Sequence, residues 1–318
     1  MKFIACMALA LFAAGASAAD YPSRPISLIV PYGPGGTNDI LARAIANKIG
    51  PALGQTVVVN NRPGAGGNIG AQQVATAAPD GYTLLLASSG VFAVNKWLYH
   101  NLRYDPANAF APIVLAGRVP NVLIVDTEVP AKTLPEFIRY AKAAKPGINY
   151  ASMGSGTSGH LCTELFKSQT GIDAQHIAYT GSAAALTGLL GHQVQLMCDN
   201  LPTALPQIKA GKVRAIAVSS ADRAPLLPDT PTVAESGFAG FDATAWFGIA
   251  APANTPAAIV QKLNREITAA LQSPDLQQIL RDQGVVFHPN TPQDFQGFIN
   301  TESEKWKVVV ERTGSRAD

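Results

Sequence analysis

The chain has 318 residues, with 24 Lys and Arg against 22 Asp and Glu, and three cysteines. That length reaches the size at which one core gives way to two domains. The near-neutral balance gives no support for a nucleic-acid binder, which shows a clustered basic surface, and no Cys/His cluster has the spacing of a zinc site.

The chain opens with a leader. Lys2 supplies a positive start, Phe3–Ala14 is a short apolar core, and Ala16-Ser17-Ala18 offers small residues to a signal peptidase. The run is too short to span a bilayer as a helix. Cys6 lies inside the apolar core and not at its end, which argues against a lipoprotein cleavage site. Residues 1–19 are therefore read as a signal peptide, cleaved after Ala18 or Ala19, and the mature chain as exported and soluble. It keeps two cysteines, Cys162 and Cys198. An exported protein could pair them; the expectation is instead two buried free thiols, one on a helix and one on a strand.

From Ile26 onward, strand-like and helical patterns alternate. Ile26–Val30 is an apolar run that stops at Pro31. The elbow Tyr32-Gly33-Pro34-Gly35-Gly36-Thr37 follows, and then Ile40, Leu41, Ala44, Ile45 and Ile49 recur at helical spacing. Thr56–Asn60 reads as a strand, with a second glycine-rich elbow from Arg62 to Asn68 and a helix over Ile69–Ala77. Thr83–Ala87 is a strand ending at Ser88-Ser89-Gly90, and an irregular stretch rich in Asn, Tyr and Pro runs to Pro112. Val122–Val125 resumes the rhythm. Thr133 to Glu136 has a capping-box pattern at a helix start. Ile148–Ala151, His176–Tyr179, Val194–Cys198 and Val213–Val218 are further strands, separated by helices over His160–Gln169, Gly181–Leu190 and Pro202–Ala210. Thr244–Ala250 is one more strand, followed by helices over Pro256–Gln272, Pro274–Gln283 and Pro292–Arg312.

Alternating β and α units imply parallel sheets covered by helices. About eleven strands are too many for one small sheet. The expected fold is α/β, with two doubly wound lobes joined by a hinge. The chain is expected to cross near Arg118–Asn121 and to return near Gly240–Ala245. Residues 20–120 and 245–318 then form lobe 1, residues 121–244 form lobe 2, and the C-terminal helices pack on lobe 1.

In open α/β sheets, ligands sit beyond the carboxyl ends of strands. Here those ends are Tyr32 to Asn38, Pro63 to Asn68, Ser88-Ser89-Gly90, Gly154 to Gly159, Tyr179-Thr180-Gly181 and Asp199-Asn200. Nearly all these residues are Gly, Ser, Thr, Asn or Tyr. They are ordinary turn formers, but they also offer hydroxyls, amides and backbone N–H groups at helix starts. Such neutral donors can hold a desolvated carboxylate without a formal counter-charge.

Competing motifs fare worse. Gly154-Ser155-Gly156-Thr157-Ser158-Gly159 fits G-x-G-x-x-G, yet the next strand ends at Tyr179-Thr180 without the acid of a dinucleotide site. No Gly-Lys-Ser/Thr follows the first elbow, and no G-x-S-x-G surrounds Ser155 or Ser158. Ser158 and His160 read as a helix cap and a surface imidazole before they read as nucleophile and base. Asp39, in a first helical turn, favours the dipole or caps an N–H. Asp199 could meet a ligand or tie down the following loop. Trp246-Phe247 reads as core packing. No loop carries a convincing base for a second carboxylate, with Arg62 and Lys96 as candidates.

These residues resemble one family closely. The matching strings are Tyr21-Pro22-Ser23-Arg24-Pro25-Ile26, Val30 to Asp39, Val59 to Gly67, Pro79-Asp80-Gly81-Tyr82-Thr83-Leu84, Ala178-Tyr179-Thr180-Gly181, Gly211 to Val218 and Pro231-Thr232-Val233-Ala234-Glu235. In order, over the whole mature chain, they are similar to the extracytoplasmic solute receptors of tripartite tricarboxylate transporters, the Bug receptors. The resemblance implies a periplasmic binding protein whose two lobes close over a small carboxylate: a di- or tricarboxylate, an acidic amino acid or an aromatic acid. It implies no cofactor, no catalysis and no nucleic acid. The partners it implies are membrane transporter subunits, and the protein is expected to act as a monomer. Carried over, the bracket is Tyr32, Gly36, Thr37 and Asn38 of lobe 1 against Ser155, Gly156, Thr157 and Ser158 of lobe 2. Ser88 and Ser89 support it from lobe 1, and Tyr179, Thr180, Gly181 and Asp199 line the other side. A sensory receptor for a carboxylate and a periplasmic hydrolase are the alternatives.

Overall fold

The computed structural model describes residues 21–317; the leader and its cleavage point lie outside them. The first sheet is built from β1 (Ile26–Val30), β2 (Val57–Asn61), β3 (Thr83–Ser88), β4 (Phe110–Val119) and β10 (Ala245–Pro252), in the order β2-β1-β3-β10-β4. The second is built from β5 (Asn121–Asp126), β6 (Ile148–Ser152), β7 (Ala174–Ala178), β8 (Leu196–Asn200) and β9 (Val213–Val218), in the order β7-β6-β8-β5-β9. Helices α1 (Thr37–Leu53), α2 (Asn68–Ala75) and α3 (Asn95–Leu98) join strands of the first sheet. Helices α4 (Leu134–Ala143), α5 (Ser158–Thr170), α6 (Ser182–Leu190) and α7 (Leu201–Lys209) join those of the second. Helices α8 (Ala257–Gln272), α9 (Pro274–Asp282) and α10 (Pro292–Thr313) follow β10. The expected capping box forms at α4: Thr133 and Glu136 each accept the other's backbone N–H.

Both sheets are mixed, which corrects the expectation of parallel sheets. β10 runs antiparallel to β3 and β4, and β5 runs antiparallel to β8 and β9. The cause is the way the chain changes sheets. The carboxyl ends of the parallel strands in the two sheets face each other, and both crossings, β4 to β5 and β9 to β10, pass between those ends. A strand arriving there enters its new sheet from the carboxyl edge and must run the other way. There are ten strands among the described residues where about eleven were expected. β4 begins inside the stretch that the sequence marked as irregular.

The crossings are tied together. Asn121 donates from Nδ2 to the Ala243 carbonyl at 2.7 Å, and its backbone N–H donates to Ser219 Oγ at 3.1 Å. Ser219 Oγ donates to the same Ala243 carbonyl at 3.0 Å. Beside the return crossing, Trp246 and Phe247 are buried core residues, as expected. Trp246 packs against Phe92, Phe295 and Phe298, and its indole N–H donates to Glu302 on α10 at 2.8 Å. Gly248 is required there, because a Cβ would enter the Phe295 ring. In this way α10 is fixed against β10 of the first sheet.

Cys162 and Cys198 form a disulfide, with Cα atoms 6.3 Å apart, which corrects the expectation of free thiols. α5 packs on β8, and that contact brings two positions 36 residues apart into bridging range. A linear spacing carries no sign of it. Replacing both as Cys162→Ala and Cys198→Ala frees a 36-residue loop of the unfolded chain. The expected loss of stability is about 3–4 kcal/mol, read from denaturant melts of the oxidised protein and the double variant.

Candidate functional site

The facing carboxyl edges meet at a narrow cavity of about 20 Å³, room for about one water. From the first sheet's side it is lined by Tyr32, Gly33, Gly36, Thr37, Asn38 and Ser88, and from the second by Met153, Thr157, Ser158, Gly181, Ser182 and Asn200. Four helices begin on its wall. Their N-caps are Gly36 for α1, Thr157 for α5, Gly181 for α6 and Asn200 for α7, and none makes a side-chain cap hydrogen bond. Thr157 Oγ1 turns back to the Gly154 carbonyl at 2.7 Å instead. Capping boxes close the first turns of α4 and α10, while α8 and α9, which start elsewhere, also lack a side-chain cap. The cavity thus faces four positive helix ends that the protein's side chains leave uncapped.

The polar side chains are arranged to match. Thr37 Oγ1 and Asn38 Oδ1 are buried without a hydrogen-bond partner among the described residues. A buried polar atom left so is costly unless something else completes it. Tyr32 is buried, its hydroxyl 2.9 Å from Ser88 Oγ, and burial pushes the phenol up to about 12. Ser158 Oγ donates to Asn121 Oδ1 at 3.4 Å and accepts from Asn200 Nδ2 at 3.0 Å, while Asn200 Nδ2 also donates to Asn121 Oδ1. The cavity wall is thereby joined to the crossing strand at Asn121. No Arg or Lys lines the cavity; Arg62 is exposed, and the Lys96 ammonium lies 4.5 Å from the centre of the Trp97 ring.

Of the residues singled out in the sequence, Tyr32, Gly36, Thr37, Asn38, Ser88, Thr157, Ser158 and Gly181 line this cavity. Ser155, Tyr179 and Thr180 line an adjoining hollow, which shares Tyr32 and Met153 with the first. Ser89, Gly156 and Asp199 line neither. Ser89 is buried, and Gly156 packs on Asn95. Gly33 and Asn200 lay within loops picked out in the sequence but were not carried into the site, and Met153 and Ser182 fell just outside those loops. Asn200 and Ser182 had a signal, since each sits where a strand gives way to a helix; Met153 had none.

His160 is buried, not a surface imidazole. Its Nδ1 accepts the Gly156 N–H at 3.2 Å, so it does not serve as a base for Ser158. Asp39 accepts the Gly35 N–H at 3.0 Å and pairs with Arg43. Burial opposes its charge, but those bonds outweigh burial and hold the carboxyl below its usual range.

Asp199 lies behind the wall. It is fully buried, its Oδ1 accepts the Ser182 hydroxyl at 2.6 Å, and Oδ2 has no partner among the described residues. Burial pushes its carboxyl up from 3.8 to about 6, against the lowering effect of Ser182 and Thr203. Between those two values the folded protein holds a proton that the unfolded chain has released. Stability should therefore fall as pH rises from about 4 to about 6, by ~3 kcal/mol from this group. Denaturant melts of the protein and of Asp199→Asn across that range should show the fall reduced by about this amount in the variant.

Comparison with known proteins places this architecture. A family model described as the tripartite tricarboxylate transporter family receptor matches residues 41–315. BugT of Bordetella pertussis (strain Tohama I) is 40% identical over 311 residues, 98% of this chain and 95% of its own. A protein of R. palustris solved with adipate superposes with a TM-score of 0.90 at 39% identity, over 93% of this chain and 99% of that one. MatC from Rhodopseudomonas palustris, with bound malate, gives a TM-score of 0.88 at 34% identity, over 91% and 100%. The chain belongs to the tripartite tricarboxylate transporter receptor family, periplasmic solute-binding proteins of two α/β lobes.

Proposed function

We propose that this periplasmic receptor captures one small organic carboxylate between its lobes and delivers it, enclosed, to a membrane transporter of the tripartite tricarboxylate type. One observation carries the reading. Four uncapped helix starts and a set of hydroxyls and amides converge from both sheets on one cavity that no basic side chain lines. Helix ends and neutral donors suit a desolvated carboxylate. The adipate and malate held by two relatives support a short aliphatic acid as the solute.

In this reading Tyr32, Gly36, Thr37, Asn38 and Ser88 bind from lobe 1, and Thr157, Ser158, Gly181, Ser182 and Asn200 from lobe 2. The unpartnered Thr37 hydroxyl donates to the carboxylate, and the Asn38 amide, turned about its last bond, donates its N–H. Lobe 1 comprises residues 20–120 and 245–318 and lobe 2 residues 121–244, with the hinge where Asn121 meets Ala243. A solute that touches both lobes favours the closed form over the open one. The protein acts as a monomer, released from its leader after Ala18 or Ala19.

The purified protein should gain thermal stability from one acid in a panel containing adipate, malate and aromatic monocarboxylates. The gain is about 4 kcal/mol when that acid is present at a thousand times its Kd. Thr37→Val, which keeps the side-chain shape and removes the hydroxyl, should weaken binding roughly tenfold or more, as one hydrogen bond to a charged group requires. Titration calorimetry measures it. A panel without any shift, and no acid released on denaturing fresh protein, would reject the reading.

A further inference from the structure

The loop from Gly154 to Thr157 is one of the parts of the second lobe that meet the first across the cleft. A Cβ at Gly66 would strike the Ser155 carbonyl, and one at Gly90 the Gly156 carbonyl. Tyr99 donates its hydroxyl to the Ser155 carbonyl at 3.3 Å. The same loop leads into Thr157 and Ser158 on the cavity wall. Its backbone is unusual, with positive φ at Gly154 (124°) and Gly156 (82°), so a glycine-rich segment must be held in one shape out of many.

Two imidazoles sit beneath it. His160 and His176 stack with ring centres 4.3 Å apart, and Tyr150 stacks on the far side of His176 at 4.9 Å. His160 Nδ1 accepts the Gly156 N–H at 3.2 Å. His176 Nε2 lies 2.6 Å from Ser152 Oγ, which in turn accepts the Gly154 N–H at 3.1 Å. Each imidazole thus grips one of the two positive-φ glycines, one directly and one through a serine. The stack is anchored below: Tyr150 donates to Glu164 at 2.6 Å, and Lys167 donates to the same carboxylate at 2.7 Å. Burial pushes His160 down to about 3 and His176 to about 4. Both rings are therefore neutral at ordinary pH, and His160 Nδ1 keeps the lone pair that the Gly156 N–H needs.

We propose that His160 and His176 are positioning residues for solute capture: as a stacked pair they fix the Gly154–Thr157 loop in the shape that lines the cavity and receives the other lobe. The proposal rests on the carboxylate-receptor reading for its consequence in binding, and on the loop geometry alone for its consequence in structure.

Two substitutions separate the parts. His160→Phe keeps the stacked ring and loses the acceptor. His160→Asn loses the ring and keeps an acceptor, because Asn Oδ1 falls near the place of Nδ1. The affinity for whichever of adipate and malate the parent protein binds should fall roughly tenfold in His160→Phe and stay within about threefold in His160→Asn. The Gly156 amide, followed by NMR-detected hydrogen exchange, should lose protection only in His160→Phe. Ser152→Ala, on the other arm, should expose the Gly154 amide in the same way, and it serves if His160→Phe does not fold. Unchanged protection at these amides, or equal loss of affinity in both His160 variants, overturns the proposal. If the parent protein binds neither acid, the choice of solutes fails, and the exchange data still decide what the histidines do.

Discussion

The structure depends on one arrangement: two sheets turn their carboxyl edges toward a cavity that, among the described residues, no basic side chain lines. The only positive ends left are those of helices, and each helix start here follows the carboxyl end of a strand. Four of them can meet at one place only if two sheets turn their carboxyl edges toward each other. The chain must then cross between those edges, and β5 and β10 must enter their sheets reversed. Mixed sheets, hinge and cavity are three results of one arrangement of dipoles. With no side-chain cap at α1, α5, α6 or α7, the N–H groups of these helix starts stay open toward the cavity.

At several points the lobes approach closely enough that only glycine fits. Gly66 and Gly90 lie against the carbonyls of Ser155 and Gly156, and Gly33 lies near that of Thr180. Glycine at such places permits a close seam with little side-chain ordering. The Asn121–Ser158–Asn200 cluster joins the wall of the cavity to the crossing strand. It gives a direct mechanical connection between the cavity wall and the strand that enters the second sheet.

Much of this was legible in the sequence where a glycine elbow follows an apolar run. Tyr32 to Asn38 announced a strand, a loop and a helix start, and the α/β alternation fixed two sheets. What could not be read depended on packing at a distance. Pro112 masked β4, although proline is tolerated on an edge strand, and β4 is an edge. The Cys162–Cys198 bridge is a product of α5 lying on β8. His160 was read as a surface residue because it lies beside Ser158 at a helix start, yet the ring turns inward onto His176. Asp199 drew attention as the acid of its loop, while the next residue, Asn200, reaches the cavity; adjacent residues of a strand point to opposite faces.

The absence of basic side chains from the cavity also bears on the medium in which the protein works. Dissolved ions screen exposed charges over about 8–10 Å, and buried groups far less. A periplasmic receptor that used surface lysines to attract its solute would lose affinity whenever the surroundings became saltier. Helix ends enclosed between two lobes have no counterions to shed and little exposure to those outside. A solute held in this way should lose less affinity on added salt than one held by exposed lysines.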